Sequence, residues 1–144
     1  MSQANLELVM GLQPAPDVDL AQLFRDDDMT AALSEAVAPV FHPDFECAHH
    51  LLGSEPTYTG LEGLRASWLD WLAPWATYRV EIEEAIDCGE QVLMLVHDFG
   101  RRDESTEEVK SNNAAVWTLR DGKVARAEFY ADRAWALKAV GLEQ

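Results

Sequence analysis

Tyr130 and Asp132 stand two residues apart in "KVARAEFYADRAWALKAVGL" (123–142), and both carry groups that can handle protons. If the first half of that stretch is a strand, its side chains alternate, so Val124, Arg126, Glu128, Tyr130 and Asp132 share one face. Ala125, Ala127, Phe129 and Ala131 share the other. An Asp in a partly apolar pocket has a raised pKa and becomes a better base toward a carbon acid. A neighbouring Tyr hydroxyl can donate to the oxyanion that forms. Arg126 and Glu128, on the same face, would either meet a substrate or pair with each other. Alternation alone fits a solvated outer face better than a pocket wall. Asp132 also precedes "RAWALKAV", where Asp is a favoured helix N-cap.

His49 is the other candidate. "FHPDFECAHHLL" puts Phe41, Phe45, Cys47, His49 and Leu51 on one strand face and His42, Asp44, Glu46 and His50 on the other. A His among apolar neighbours is either a hydrogen-bonded core group or a pocket acid, base or donor. His97 and Asp98 are adjacent, so a regular strand turns them to opposite faces and they cannot pair. His42, Asp44 and His50 lie where Pro43 marks a strand edge, spaced too far apart for a metal cage, and no metal site is expected. No Ser/His/Asp arrangement, phosphate loop or dinucleotide fingerprint is present. That points away from covalent catalysis, and no cofactor is expected.

The elements that must hold these groups can be read from periodicity. Short helices are expected at "ANLELVMGL", ended by Gly11, at "DVDLAQLF", capped by Asp17 or Asp19, and at "MTAALSEAVAPVF", stopped by Pro39. "DDD" at 26–28 breaks the pattern as a solvated loop. "LEGLRASWLDWLAPW" lines Leu61, Leu64, Trp68, Trp71 and Leu72 along one helical stripe. Trp68 and Trp71 are core residues on that pattern, or the aromatic wall of a pocket for a flat ligand if the helix roofs one. Long strands follow at "TYRVEIEEAID", "QVLMLVHDFGRR" and "EEVKSNNAAVWTLR", and "DG" at 121–122 is a hairpin signal. The second of these is apolar on both faces until His97 and Asp98, which suggests cover on both sides and a contact between two copies.

At 144 residues the chain is read as one domain, 1–144, with N-terminal helices in 1–38 and the main body in 40–142. Net charge is −15, and through residue 64 Arg25 is the sole Lys or Arg against eleven Asp or Glu. Such a surface repels phosphate backbones and anionic lipid, so neither nucleic acid nor membrane is expected as a partner. No leader is apparent, and Cys47 and Cys88 read as reduced thiols of a cytoplasmic protein. Helices, a strand, a helix, antiparallel strands and a last helix make an α+β architecture, with a curved antiparallel sheet wrapped around helices as a cone.

In order and spacing, "HPDFE", "YTGLEGLRASWLDWL", "YRVEIEEAIDCGEQVLMLV", "VWTLRDGKVAR" and "EFYADRAWALKAVGL" resemble SnoaL-like proteins of the ketosteroid-isomerase-like (nuclear transport factor 2-like) superfamily. The resemblance covers roughly 40–142. It implies a cystatin-like α+β barrel with an internal apolar pocket and a homodimer through sheet faces. It further implies a small apolar ligand and either an isomerase, cyclase or hydrolase activity or a noncatalytic binding or dimerising role. It favours the pocket for the polar row of the last strand, and matches Asp132 to the acidic position that polyketide cyclases of this type use as a base. The turn "GRRDESTEEV" departs from the Gly-rich turn common in the family. Fold membership leaves the reaction open.

Overall fold

The computed structural model describes residues 3–51, 53 and 55–142. Three helices come first: α1 (Gln3–Gly11), α2 (Leu20–Arg25) and α3 (Asp27–Val37). Asp19 caps α2 by accepting the Ala21 N–H at 3.0 Å. Asp26 caps α3 by accepting from Met29 N–H at 2.9 Å. The aspartate run is therefore a helix restart rather than a loop. Asp26 satisfies a free backbone donor, and Asp27 and Asp28 lie at the positive end of the helix dipole. A 3-10 turn (Ala38–Val40) with Pro39 leads out of α3.

The rest runs β1 (Phe41–His50), β2 (Tyr58–Thr59), α4 (Gly60–Leu72), β3 (Thr77–Cys88), β4 (Gln91–Arg101), β5 (Val109–Arg120), β6 (Lys123–Tyr130) and α5 (Arg133–Ala139). The strands form one sheet in the order β2-β1-β6-β5-β4-β3. Its ladders are antiparallel except β1 with β6, which is parallel because the chain returns from the far edge of the sheet. At the β5–β6 hairpin Asp121 and Gly122 both have positive φ, 55° and 75°, as a type I′ turn requires. Register shifts at Phe41/Glu46, Ile82/Glu84 and Thr118/Leu119 bend the sheet. The sheet curls around the helices but does not close into a barrel, leaving β2 and β3 as edges.

The registers decide which side chains face inward. On the concave side, Val96 pairs with Asn113 and Trp117 with Ala127, while His49 pairs with Phe129. On the convex side, Val116 pairs with Leu93 and Glu128, and Tyr130 with Ala114 and His50. α5 packs there, with Ala136 buried among Leu93, Ala114, Val116 and Tyr130. The second apolar face of β4 is thus covered within the chain, and its pattern needs no second copy to explain it.

The polar row of β6 lies on the outer face, opposite to the pocket side favoured for it from the sequence. The reason is local. The inward positions are Ala127 and Phe129, which join the core beneath α4. The outward ones pair with one another: Arg126 with Glu46 at 3.0 Å and with Glu128 at 3.1 Å, and Glu128 with His50 at 3.0 Å. A half-covered surface with each charge partnered suits these groups better than an apolar interior.

α4 roofs the concave side. Trp68 and Leu72 are buried with Leu20, Phe24 and Tyr78. Side chains lock α4 to the N-terminal helices: Arg65 Nε donates to the Phe24 carbonyl and Arg25 to the Leu72 and Trp75 carbonyls, each at 2.8 Å. At Gly100, on β4, the Trp75 ring packs so closely that a Cβ would stand 2.5 Å from it, so glycine is required there.

Candidate functional site

Helices over a curved sheet leave a cavity of about 320 Å³, walled by α2, α3 and α4, the concave strands and the connection after α1. Most of its wall is aromatic or aliphatic, with Phe24, Trp68 and Trp71 on the helix side and Trp117 and Phe129 on the sheet side. Asp98, Asn113 and His49 are the polar groups that interrupt this wall on the sheet.

Asp98 is 5% exposed. Its Oδ2 accepts a short hydrogen bond from the Tyr78 hydroxyl and another from Asn113 Nδ2 at 2.9 Å. The Tyr78 oxygen in turn accepts from Trp71 Nε1–H at 2.9 Å. The Tyr78 backbone N–H donates to Asp19 at 3.0 Å, the same carboxylate that caps α2. One oxygen of Asp98 is therefore held from two strands and, through Tyr78, from α4. Oδ1 has no partner. Burial pushes the carboxyl pKa up to about 6, against the lowering effect of the Tyr78 and Asn113 hydrogen bonds. Burial and the neighbouring carboxylate both push the Tyr78 phenol upward, so it stays a donor.

His49 is 4% exposed. Its ring stacks on Phe129 (centroids 4.5 Å, planes 20° apart) and meets Trp68 edge-on at 4.5 Å. Nδ1 lies 2.6 Å from Ser67 Oγ on α4, and Nε2 has no partner. Burial, with a smaller contribution from His50, drives the imidazole pKa down to about 3, so the ring is neutral at ordinary pH. When Ser67 donates to Nδ1, Nε2 carries the proton and becomes a donor.

Among the described residues, the buried side-chain polar atoms without a partner are His49 Nε2, Asp98 Oδ1 and Trp117 Nε1. All three belong to the cavity wall. Each orphaned group costs roughly 1–3 kcal/mol, so the wall of this one cavity carries a concentration of unsatisfied buried polar groups.

The groups expected from the sequence divide between two faces. His49, Trp68 and Trp71 come together at the cavity. Tyr130 borders it, but its hydroxyl donates to Glu128 at 3.1 Å and its ring stacks on His50, both on the outer face. Arg126 and Glu128 belong to that outer network. Asp132 is exposed and caps α5, accepting from Ala134 N–H at 2.9 Å. Asp98, Asn113 and Trp117 line the cavity and Tyr78 supports Asp98, although sequence reasoning did not single them out. For Asp98 a signal was present: an acid in phase with Met94 and Val96 in an otherwise apolar strand. Among the described residues no cluster of three or more His, Cys, Asp or Glu is arranged to hold a metal ion, and no helix is long and apolar enough to cross a membrane.

Residues 18–127 match the model of the SnoaL-like domain family. No curated protein matches the chain significantly. Among solved structures, a protein called a SnoaL-like polyketide cyclase in Jannaschia sp. CCS1 superposes with a TM-score of 0.66 at 19% identity, covering 100% of this chain and 98% of that one. TerC, co-crystallized with polyporic acid, gives 0.64 at 19% identity over 96% and 98% of the two chains. A protein with a ketosteroid isomerase-like fold from Catenulispora acidiphila DSM 44928, in complex with trimethylamine, gives 0.58 at 18% identity over 90% and 95%. At these identities the likeness is one of fold.

Proposed function

The chain belongs to the SnoaL-like family, and from that premise and the cavity geometry we propose that it is an acid/base enzyme acting on a small, largely apolar carbonyl compound or epoxide. The observation that carries the reading is Asp98: a carboxylate buried in an apolar wall, one oxygen fixed by Tyr78 and Asn113, the other covered by neighbouring atoms and without a hydrogen-bond partner. Its pKa of about 6 leaves it ionised at neutral pH, yet close enough to give the proton back.

In the simplest reaction, an isomerisation, Oδ1 takes a proton from the carbon next to a carbonyl. The C–H electron pair moves to form a C=C bond and the carbonyl π pair moves to oxygen. His49 Nε2–H then donates a hydrogen bond to that enolate oxygen. Return of the same proton to another carbon of the conjugated system restores the carbonyl and the Asp98 carboxylate, with no other reactant consumed. Tyr78 and Asn113 hold the carboxylate in place, and Trp68, Trp71 and Phe129 provide the apolar surface.

The test is Asp98→Asn against wild type on a panel of β,γ-unsaturated ketones and aryl epoxides, with binding and turnover measured separately. The expected result is a loss of turnover of about 10²- to 10⁴-fold with binding kept, and a wild-type rate that rises as pH passes about 6. Equal turnover by both proteins, or binding without turnover by wild type on every compound, would overturn it. The latter result would leave a binding protein of the same family.

A further inference from the structure

Trp117 is 6% exposed, lines the cavity and has an indole N–H without an acceptor. An indole nitrogen can only donate. No rearrangement of protons can therefore satisfy it, in contrast to Asp98 and His49, whose bare atoms can act as donor or acceptor. What it lacks is an oxygen. Phe129 meets its ring edge-on, with centroids 5.8 Å apart and planes at 85°, which provides packing rather than a conventional acceptor.

Its place in the sheet is as informative as its chemistry. Across the β4–β5 ladder Trp117 pairs with Val92, whereas Asp98 pairs with Ser111. The two rows are six residues apart along β5, about 20 Å of strand. The cavity thus has a proton-handling end at Asp98 and a donor far from it, with His49 and Phe129 between them in the sheet.

We infer that Trp117 is a specificity residue: its indole N–H binds a carbonyl or hydroxyl oxygen at the end of an elongated, otherwise apolar ligand remote from the reacting carbon. This rests on the cavity being the substrate site. The nitrogen is covered by neighbouring atoms, so a ligand reaches it by displacing side chains of the wall. The interaction selects among apolar molecules of one shape by the presence of a distal acceptor. A site built to hydrogen-bond one group discriminates more strongly than apolar fit does.

The experiment compares 2,6-diacetylnaphthalene with 2-acetyl-6-isopropenylnaphthalene, in which a methylene replaces the distal ketone oxygen while one ketone is kept for the Asp98 end, on wild type and Trp117→Phe. Wild type is expected to prefer the diketone. Trp117→Phe, which keeps a ring but removes the donor, should weaken diketone binding about 3- to 10-fold and leave the monoketone unchanged. In ¹⁵N-labelled wild type, the Trp117 indole signal, assigned through its own backbone, should move further with the diketone than with the monoketone. That readout needs no variant to fold. Equal weakening of both probes, or equal movement of the Trp117 signal with both, would overturn the inference while leaving Asp98 untouched. Failure of both probes to bind wild type would overturn the cavity reading, and this inference with it.

Discussion

Asp98 makes folding sensitive to pH in a direction that follows from its burial. Its pKa rises from an ordinary 3.8 to about 6, so between those values the folded chain holds a proton that the unfolded chain has released. Stability from this group is therefore full below the unfolded value and is lost as pH rises through the folded one. Two pK units correspond to about 3 kcal/mol. His49 works in the opposite sense. Its lowered pKa gives stability that is present above the unfolded value and lost as pH falls toward about 3. Wild type alone mixes the two slopes, but the difference between wild type and Asp98→Asn cancels His49. Urea unfolding at pH 4 and pH 7.5 should show Asp98→Asn gaining about 2 kcal/mol on wild type at the higher pH, since part of the change has already occurred by pH 4. A constant difference across that range would mean that Asp98 is not buried as described.

At the scale of elements, α5 separates the two roles that an aspartate at position 132 could have. Its carboxylate caps the helix from an exposed position, while Ala136 packs on the outer face. Asp132→Ala should cost about 1 kcal/mol of stability and change 2-acetylnaphthalene affinity by less than about twofold. Turnover lost with stability intact would instead return Asp132 to the chemistry. Most elements were legible because each rests on a local rule: caps at Asp19, a Pro stop at Pro39, a DG hairpin, the helical stripe of α4. His49, Trp68 and Trp71 were legible as inward residues of the cavity wall for the same reason, as they interrupt or thicken an inward pattern. The facing of β6 was not. Period 2 tells which residues share a face, but which face turns inward is decided by the parallel pairing with β1 and by α5 covering the other side. Asp98 stayed hidden because its partners, Tyr78 and Asn113, come from two other strands.

For the whole molecule the charge distribution bears on which ligands the cavity admits. The net charge is −15, and the elements that close the cavity, α1 to α3 with their connections, carry Arg25 as their sole Lys or Arg beside Glu7, Asp17, Asp19, Asp26, Asp27, Asp28 and Glu35. Arg25 is itself engaged with the carbonyls of Leu72 and Trp75. An anion approaching this side meets a negative potential, and inside it would meet Asp98, ionised above about pH 6. Neither repulsion acts on a neutral ketone. The surface contribution is screened by salt, with a Debye length falling from about 30 Å at 0.01 M to about 8 Å at physiological strength, whereas buried Asp98 is screened much less. At pH 7.5, 2-naphthoate should therefore bind more weakly than 2-acetylnaphthalene. Its affinity should rise several-fold, about one factor of ten at most, between low salt and 0.5 M, while that of the ketone stays flat. Lowering the pH to 5 should recover more of the naphthoate affinity than salt does, because protonating Asp98 removes the repulsion that salt cannot reach. Naphthoate binding as tight as the ketone at low salt would show that a cation faces the ligand, and would move the search for the substrate from neutral carbonyl compounds to acids.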